Sequence, residues 1–385
     1  MTLHFMTLSK DCLMLNSPRT LIPKREVHII GDGCAALSFA ARAGELPLHQ
    51  LTIIQPDGAP AQKEHVWGFW RVDGLDNAAE LARKGWNFWS IISAKGKVVL
   101  SSDTHTYYAL SRKKWEKNCI QLARENGVKF INQANLVVSP DAQILDSRPP
   151  IVSVNQMFQY FIGWEIKAKP GSFNAENAIL MDFRCDQSRG IHFIYTLPFS
   201  SSKALVESTM FSKKREPDSF FETAIKTYVN RHFGVDDFTI ERVEKGGIPL
   251  GRLPSVKSEN IGIGGNGNAI RPSSGYAFAF IQKQILATIQ NAKGKNKNST
   301  NPLVIKCPHK LVDLWMDEVF VNVLKLRPDI APELFLKMAK ALDGDAFAQF
   351  LSGEAGWLVR LKVVLAMPKF IFIYALVLLI IKRSA

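Results

Sequence analysis

Cysteine is scarce in this chain, and its pattern carries no metal or disulfide signature. Five cysteines occur among 385 residues. They are odd in number and widely spaced, with neither a CxxC pair nor a Cys/His cluster, so no disulfide framework or zinc site is indicated and we expect no bound metal. This usage favours a reducing, cytoplasmic setting. A long low-complexity run is also missing, and a composition of 46% hydrophobic and 22% charged residues excludes global disorder.

Two further deficits bear on protein targeting and on the possible binding partners. Residues 1–25 lack a sustained apolar run, so we expect a loose N-terminal extension rather than a secretory leader. Acidic residues are fewer than basic ones, 35 against 48, which gives a net charge of +13. Such an excess favours an anionic partner, either lipid headgroups or nucleic acid. Because the chain has no basic–aromatic motif of a DNA- or RNA-binding module, nucleic acid is not expected.

A long apolar run is present at the C-terminal end. Residues 370–381 are all apolar and two basic residues follow them, while Pro368 and Lys369 interrupt the apolar sequence on the other side. One interpretation is a buried core helix. We favour a membrane-embedded or interfacial helix, because the run is apolar all round and its cationic end suits lipid headgroups. Residues 361–385 are therefore predicted to be membrane-associated, with Trp357 and Arg360 at the interface.

A nucleotide-binding turn is indicated near the start. The apolar strand at residues 26–30 leads into a GxGxxA sequence, formed by Gly31, Gly33 and Ala36, and a helical pattern follows. The first glycine permits the tight turn, the second lets the backbone approach a pyrophosphate, and the alanine allows close helix–strand packing. A second strand follows at residues 51–54, where Gln55 stands in place of the expected ribose-binding acid. The alternative is a generic βαβ turn; we favour a dinucleotide site.

Two later stretches resemble the remaining parts of an FAD-binding domain of the hydroxylase type. In that superfamily an arginine at the start of a helix reaches the cofactor, and Arg112 matches it, although an ordinary solvated helix-start residue is the alternative. Residues 260–280 form a glycine-rich turn that leads into a helix, as an anion or flavin cradle does. In this turn Asn266 occupies about the position of the superfamily's ribitol-binding Asp. The predicted cofactor residues of the turn are Gly264, Gly265, Asn266, Gly267, Pro272 and Gly275.

Taken in order, a further series of segments resembles the lycopene cyclases of the bacterial and plant flavoprotein type. The resemblance runs from about Val27 to about Lys369, and its strongest part is residues 193–209, FIYTLPFSSSKALVEST. The other matching segments are HVWGFW at 65–70, DSRP at 146–149, MDF at 181–183, GIPL at 247–250, RPSSGY at 271–276 and LWMDEVF at 314–320. The many matches in one order make the signal specific.

The resemblance implies a chemistry that involves no net redox change. Lycopene would be converted through γ-carotene into β-carotene by acid/base-catalysed cyclisation of its linear ends, the reaction of an intramolecular lyase or isomerase. The family requires reduced FAD, with NAD(P)H as the reductant. Such a reaction needs a desolvated acid with a raised pKa, a cation stabilised by aromatic faces, and exclusion of water.

Glu207 is the predicted general acid, because the family's proposed catalytic glutamate occupies this motif. By strand alternation Leu205, Glu207 and Thr209 share one face; the alternative is a strand-edge residue that faces solvent. Asp182 is the second candidate, either as a base or as a hydrogen-bonding structural residue. Trp67 and Phe69 are predicted to contact the substrate, although most aromatic residues of such a chain belong to its core.

These inferences combine into one architecture. We expect an α/β protein: a Rossmann-like FAD-binding domain of the hydroxylase type, with an inserted antiparallel β substrate domain and a helical C-terminal part. The predicted limits are 26–150 and 246–295 for the discontinuous FAD domain, 151–245 for the substrate domain and 303–360 for the helical cover. We expect a monotopic or C-terminally anchored protein on the cytoplasmic face of a membrane, with a carotenoid and membrane lipid as partners. Two alternatives stay open: an FAD-dependent polyprenyl reductase or hydroxylase, and a non-catalytic flavin- or carotenoid-binding protein.

Overall fold

A computed structural model describes residues 23–58, 63–135, 139–254, 260–294 and 300–384. The predicted N-terminal extension therefore lies almost wholly outside the described residues. The described strands, in chain order, are β1 (Arg25–Ile30), β2 (His49–Gln55), β3 (Val66–Trp70), β4 (Lys84–Trp86), β5 (Phe88–Ser93), β6 (Gly96–Ser101), β7 (Tyr107–Ser111), β8 (Lys129–Asn132), β9 (Gln143–Asp146), β10 (Met157–Lys167), β11 (Asn177–Asp182), β12 (Ile191–Pro198), β13 (Lys203–Ser212), β14 (Thr239–Leu250) and β15 (Ile261–Gly262). The described α-helices are α1 (Cys34–Ala40), α2 (Asp76–Leu81), α3 (Arg112–Glu125), α4 (Asp218–Phe233), α5 (Phe278–Gly294), α6 (Leu311–Leu326), α7 (Ala331–Ala341), α8 (Gly344–Leu351), α9 (Trp357–Ala366) and α10 (Lys369–Ser384).

A five-stranded parallel sheet forms the first layer, in the order β15-β9-β1-β2-β8. Val27, Ile29 and Ile53 on its central strands are fully buried. Strands of a parallel sheet are covered on both faces, which accounts for their nearly continuous apolar sequence. Residues of α1 and α5 pack into the same core. The predicted Rossmann-like domain is thus confirmed.

The second sheet has seven strands, in the order β14-β10-β13-β12-β11-β5-β6, and is antiparallel except where β11 pairs with β5. It is the predicted antiparallel domain, but its limits differ from those expected from the sequence. The hairpin of β5 and β6 joins it from the N-terminal part of the chain, and β14 continues to Leu250. Helix α4 packs on one face through Phe221 and Ile225, beside Val206 of β13.

The other face of this sheet meets a small sheet, β3-β7-β4, and the C-terminal helices. Two buried ion pairs hold α6 in place. Arg271 pairs with Asp317, and Arg360 of α9 donates to both carboxylate oxygens of Asp313 at 2.7 and 3.0 Å. Arg360 is 4% exposed, so the prediction that it lies at a lipid interface was wrong; its charge is compensated inside the helical part, as a buried cation requires.

Helices α9 and α10 meet at a sharp bend of 109°. Met367 adopts an extended backbone conformation (φ −79°, ψ 148°) directly before Pro368, because proline disfavours helical geometry in the residue that precedes it. Among the described residues, no helix on its own has the length and apolar composition to cross a membrane; α9 and α10 meet both criteria only as this bent pair. Many of their large apolar side chains are exposed, with Phe370 at 92% and Trp357 at 73%.

Candidate active site

Four residues form one row across four neighbouring strands of the seven-stranded sheet. Tyr195 of β12 pairs with Glu207 of β13, Glu207 pairs with Gly163 of β10, and Gly163 pairs with Glu244 of β14. Paired residues in adjacent strands project to the same face of a sheet. A Cβ atom on Gly163 would lie 3.1 Å from Cγ of Glu244 and 3.4 Å from Cβ of Glu207. Glu207 and Glu244 thus flank Gly163 on one face of the sheet, where any side chain at the glycine would crowd both.

Glu207 is a buried carboxyl with a raised pKa. Its side chain accepts a hydrogen bond of 2.6 Å from the hydroxyl of Thr209, which the strand alternation had placed on the same face. Burial raises the pKa of Glu207 to about 8, and the negative charge of Glu244 adds to the rise. At neutral pH this side chain therefore holds a proton in a site from which water is largely excluded.

Glu244 is more deeply buried but has a cationic partner. Its Oε2 accepts hydrogen bonds from Nη1 of Arg242 at 2.6 Å and from the backbone N–H of Val66 at 3.1 Å. Burial raises the pKa of Glu244, and the Arg242 guanidinium opposes the rise. Arg242 also pairs with Glu165, which binds Arg83. Because the neighbouring arginine compensates Glu244 rather than Glu207, we assign the negative charge of the pair to Glu244 and the proton to Glu207.

Tyr195 of this row lies in a cluster of three tyrosine side chains. The hydroxyls of Tyr107 and Tyr195 are 2.9 Å apart, and the Tyr276 ring packs against Trp70 at a centroid distance of 5.4 Å. A side chain at Gly68 would overlap the Tyr107 hydroxyl, so the glycine makes room for the pair. Burial raises the pKa of all three phenols well above the ordinary value. Trp70 packs against this group, with its ring centroid 4.7 Å from that of Tyr107. Neutral aromatic groups therefore form a wall of the site.

Asp182 lies on the opposite face of the sheet from Glu207. It pairs in register with Ile194, which pairs with Ser208 rather than with Glu207. Its carboxylate accepts hydrogen bonds from Arg184 and, at 2.6 Å, from the Tyr228 hydroxyl of α4. Burial raises the pKa of Asp182, but these hydrogen bonds outweigh it and the net shift is downward. Of the two roles left open by the sequence, this geometry favours the structural one.

Trp67 and Phe69 also face away from Glu207. Along β3 they share one face, where both contact Phe278 with centroid distances of 5.3 and 5.2 Å. Gly68 and Trp70 occupy the other face, toward the tyrosines. Trp67 and Phe69 thus lie on the side of β3 that faces away from Glu207, and Trp70 is the aromatic residue that alternation brings to the Glu207 side.

The glycine turn after β1 has the geometry of a phosphate-binding turn. Gly31 has φ +103°, a conformation that favours glycine, and a Cβ there would overlap the Ser147 side chain. A Cβ on Gly33 would meet nothing within 4 Å, so the backbone at the start of α1 is open to a ligand. Ala36 is fully buried, as close packing of α1 requires. Gln55 directs its amide to Asp32 at 3.3 Å and thus contacts the turn.

The second glycine turn packs directly on α1. Gly264 has φ +63°, and a Cβ there would overlap the side chain of Ala35. Asn266 donates a hydrogen bond of 3.3 Å to the backbone carbonyl of Asp146 at the end of β9. Gly265 and Gly267 complete this short turn, which is a 3-10 helix at Gly264–Gly267. The structure therefore brings together the two glycine turns that the sequence assigned to one cofactor.

The other predicted cofactor residues divide between two places. Arg112 binds Glu116 at 2.7 Å, and both groups are close enough to influence the pKa of the Cys34 thiol in α1. Pro272 instead accepts a hydrogen bond from the N–H of Gly251, and a Cβ on Gly275 would lie 3.1 Å from the Ile248 side chain. This later turn is held against β14, on the side of the carboxyl pair.

The overall fold matches that of solved enzymes that include the flavin-dependent brominase Bmp2, which superposes with a TM-score of 0.50 at 13% identity, over 94% of this chain and 100% of its own. A geranylgeranyl bacteriochlorophyll reductase-like protein from Thermoplasma acidophilum superposes with a TM-score of 0.55 at 13% identity, over 89% of this chain and 96% of its own. A tryptophan 6-halogenase from Streptomyces toxytricini gives a TM-score of 0.52 at 10% identity, over 92% and 90% of the two chains. The architecture is thus that of the FAD-binding fold of the hydroxylase type.

Within that fold, the model of the lycopene cyclase family matches residues 26–373, and the chain belongs to this family. It is 26% identical over 317 residues to a chloroplastic lycopene beta cyclase of an Oncidium hybrid cultivar, covering 70% of this chain and 65% of that protein. A lycopene beta-cyclase of Pseudescherichia vulneris is 25% identical over 61% of this chain and 62% of its own. A neoxanthin synthase of Solanum lycopersicum is 26% identical over 66% and 57%. The chain thus matches less than two thirds of the length of these relatives.

Proposed function

We propose that this protein is a lycopene beta-cyclase that converts lycopene through γ-carotene into β-carotene. The observation that carries the proposal is Glu207, a buried carboxyl that keeps its proton near neutral pH, beside a wall of neutral aromatic rings. Membership of the family supports a carotenoid substrate, and the carboxyl supplies what a proton-triggered cyclisation requires.

The Glu207 carboxyl donates its proton to the terminal alkene of the polyene, which leaves a tertiary cation. The next double bond attacks this cation and closes the ring, and transfer of a ring proton to the Glu207 carboxylate restores neutrality, so the product is an isomer of the substrate. After proton transfer to the substrate two carboxylates, Glu207 and Glu244, flank Gly163. Their repulsion favours return of a proton to Glu207, which readies the site for another cycle.

The aromatic wall has two tasks in this scheme. The ring faces of Trp70 and the tyrosines stabilise the cationic intermediate without offering a carboxylate or amine that would trap it. Their raised pKa values keep the phenols neutral. Dense packing around Trp70, which is 2% exposed, keeps out water that would convert the cation into an alcohol.

FAD is the proposed cofactor, because the two glycine turns fit it. Gly33 offers open backbone at the start of α1, and Gly264 lets the second turn reach the same helix; Arg112 and Asn266 would complete the site. When bound in its reduced form, with NAD(P)H as the reductant, the flavin would supply an electron-rich ring able to stabilise positive charge. The chain's own residues hold the cofactor and move the proton.

We also propose a monotopic attachment to the cytoplasmic face of a membrane, through the exposed apolar side chains of α9 and α10. The support is their exposure, 92% for Phe370 and 73% for Trp357, together with the net charge of +13. A bent helix pair suits the plane of the interface. Lycopene is itself apolar, so attachment brings the enzyme to its substrate.

Expression of the chain in bacteria that accumulate lycopene tests the function. A colour change from red to orange, with a bicyclic product whose mass equals that of lycopene, is the expected result. A product that has gained oxygen or hydrogen would instead indicate a hydroxylase or a reductase. Unchanged lycopene, with the protein present and flavin bound, would favour a binding protein without turnover.

A further inference from the structure

An apolar cavity lies among the C-terminal helices, apart from the carboxyl pair. Its volume is about 230 Å³, and it is lined by side chains of α6, α7, α9 and α10, among them Phe320, Phe335, Val364, Phe372 and Ile373. None of the residues that the proposed chemistry uses lines it. Its lining is almost entirely apolar, which favours an apolar ligand.

Most of the few polar groups of the lining already form hydrogen bonds or ion pairs within the protein. Ser273 donates a hydrogen bond of 2.7 Å to Asp317, whose carboxylate also pairs with the buried Arg271. One hydroxyl, that of Ser274, is buried without a partner among the described residues. A single hydroxyl does not hold a polar ligand, so a molecule in this cavity is retained by apolar contact.

A chain of aromatic contacts joins the cavity to the Glu207 face of β13. Glu207 and Phe211 share that face by alternation and are separated by about 13 Å along the strand. The Phe211 ring contacts Phe335 of the cavity at a centroid distance of 6.4 Å. Phe335 contacts Phe320 at 5.4 Å, and Phe320 contacts Phe372 of α10 at 6.3 Å. A line of contacting aromatic side chains thus runs from the Glu207 face of β13 to the cavity.

At its outer end the cavity reaches the apolar surface of α9 and α10. Val364 and Ile373 line it, yet they are 46% and 59% exposed, so they mark its mouth. The ammonium group of Lys369 is turned onto the carbonyls of Val364 and Leu365 at 2.8 and 2.7 Å. The positive charge at the mouth therefore caps the end of α9, which leaves the opening to apolar side chains.

We propose that this cavity binds the part of the polyene chain that is remote from the end held at Glu207, and that the chain enters from the lipid bilayer between Val364 and Ile373. The identity of the ligand rests on the proposed function. The existence of a binding site for a long apolar chain rests on the cavity, its mouth and the aromatic contacts alone.

The test uses cis-parinaric acid, a polyene fatty acid that fluoresces in apolar sites, with the purified full chain. Val364→Trp fills the mouth, and Leu311→Trp is the matched control, since Leu311 is 84% exposed and does not line the cavity. We expect Val364→Trp to weaken probe binding at least about tenfold, and Leu311→Trp to leave it unchanged. Displacement of the probe by lycopene, but not by phosphatidylcholine, completes the expected result.

Equal affinities of the two variants would overturn the proposal, as would displacement by phosphatidylcholine but not by lycopene, which would make the cavity a lipid site. Cyclisation is measured on the same preparations. Probe binding that depends on Val364 without any cyclised product would refute the proposed function and leave the cavity site standing. Cyclisation that persists while both variants bind the probe equally would refute the cavity site alone.

Discussion

Glu207 and Glu244 flank Gly163, in a single row of paired residues on three neighbouring strands. Among the described residues, only Glu244 of this pair has a cationic partner, Arg242, at 2.6 Å. Two buried carboxyls at close range do not both ionise, so the arginine decides which of them keeps the proton. This arrangement lets an ordinary glutamate, Glu207, stay protonated and act as an acid near neutral pH.

Removal of the charge at Glu244 is predicted to shift the pH dependence of cyclisation. Catalysis needs the protonated form of Glu207, so activity falls as pH rises through its pKa of about 8. Glu244→Gln removes the neighbouring negative charge and frees Arg242, and both changes lower that pKa. The alkaline limb of the pH–rate profile should therefore move to lower pH. An unmoved limb would show that Glu244 does not tune the acid.

A side chain at Gly163 is predicted to disturb the site more than the fold. The added methyl of Gly163→Ala would lie 3.1 Å from Cγ of Glu244 and from Cδ1 of Leu205, so the carboxyls must move apart. We expect about 1–3 kcal/mol of lost stability and a larger relative loss of cyclisation. Gly294→Ala is the control, because a Cβ there meets nothing within 4 Å. Full activity of Gly163→Ala would argue against a precisely spaced pair.

Asp182 is predicted to matter for stability and not for proton transfer. Asp182→Asn weakens the hydrogen bonds from Arg184 and Tyr228 and should lower the free energy of unfolding by roughly 1.5–3 kcal/mol. The activity of the folded fraction should remain, and denaturant unfolding with activity measured per folded molecule separates the two effects. A stable variant that lacks activity would return Asp182 to the catalytic candidates.

Gly33 is predicted to serve the cofactor alone. The space around its Cβ position is open, so Gly33→Val should fold normally, while its branched side chain occupies the region that a pyrophosphate needs. We expect an unchanged melting temperature of the flavin-free protein and an affinity for FAD that is lower by at least about tenfold. Unaltered flavin binding would remove this turn from the cofactor site.

Local sequence was sufficient to predict the glycine turns and the strand that bears Glu207. The GxGxxA turn can be recognised from sequence because its backbone conformation, such as the positive φ of Gly31, depends on residue types within a few positions. Ser111 caps the N-terminus of α3, accepting a hydrogen bond from the N–H of Lys114 at 3.2 Å. The confirmed fold follows from such local signals in the right order.

The face of the sheet to which a residue belongs was not available from local sequence. Asp182 and Glu207 are both buried acids on apolar strands, and only the pairing of β11 and β12 with β13 separates them. Glu244 could not be found from the sequence, because the apolar residues of β14 do not mark one buried face. Ile240 and Val243 on this strand are both exposed, at 44% and 53%. The faces on which Trp67 and Trp70 lie are equally unavailable from local sequence, because successive residues of a strand project to opposite faces.

The most direct test of the proposed chemistry is the rate of lycopene cyclisation by Glu207→Gln, compared with wild type and with Glu80→Gln, which changes an exposed acid on α2. The glutamine keeps the size of the side chain but has no proton to give. We predict that Glu207→Gln binds FAD normally and loses about 10²–10⁴-fold in rate, while Glu80→Gln behaves as wild type. A folded, flavin-bound Glu207→Gln protein that cyclises lycopene at the wild-type rate would contradict the account.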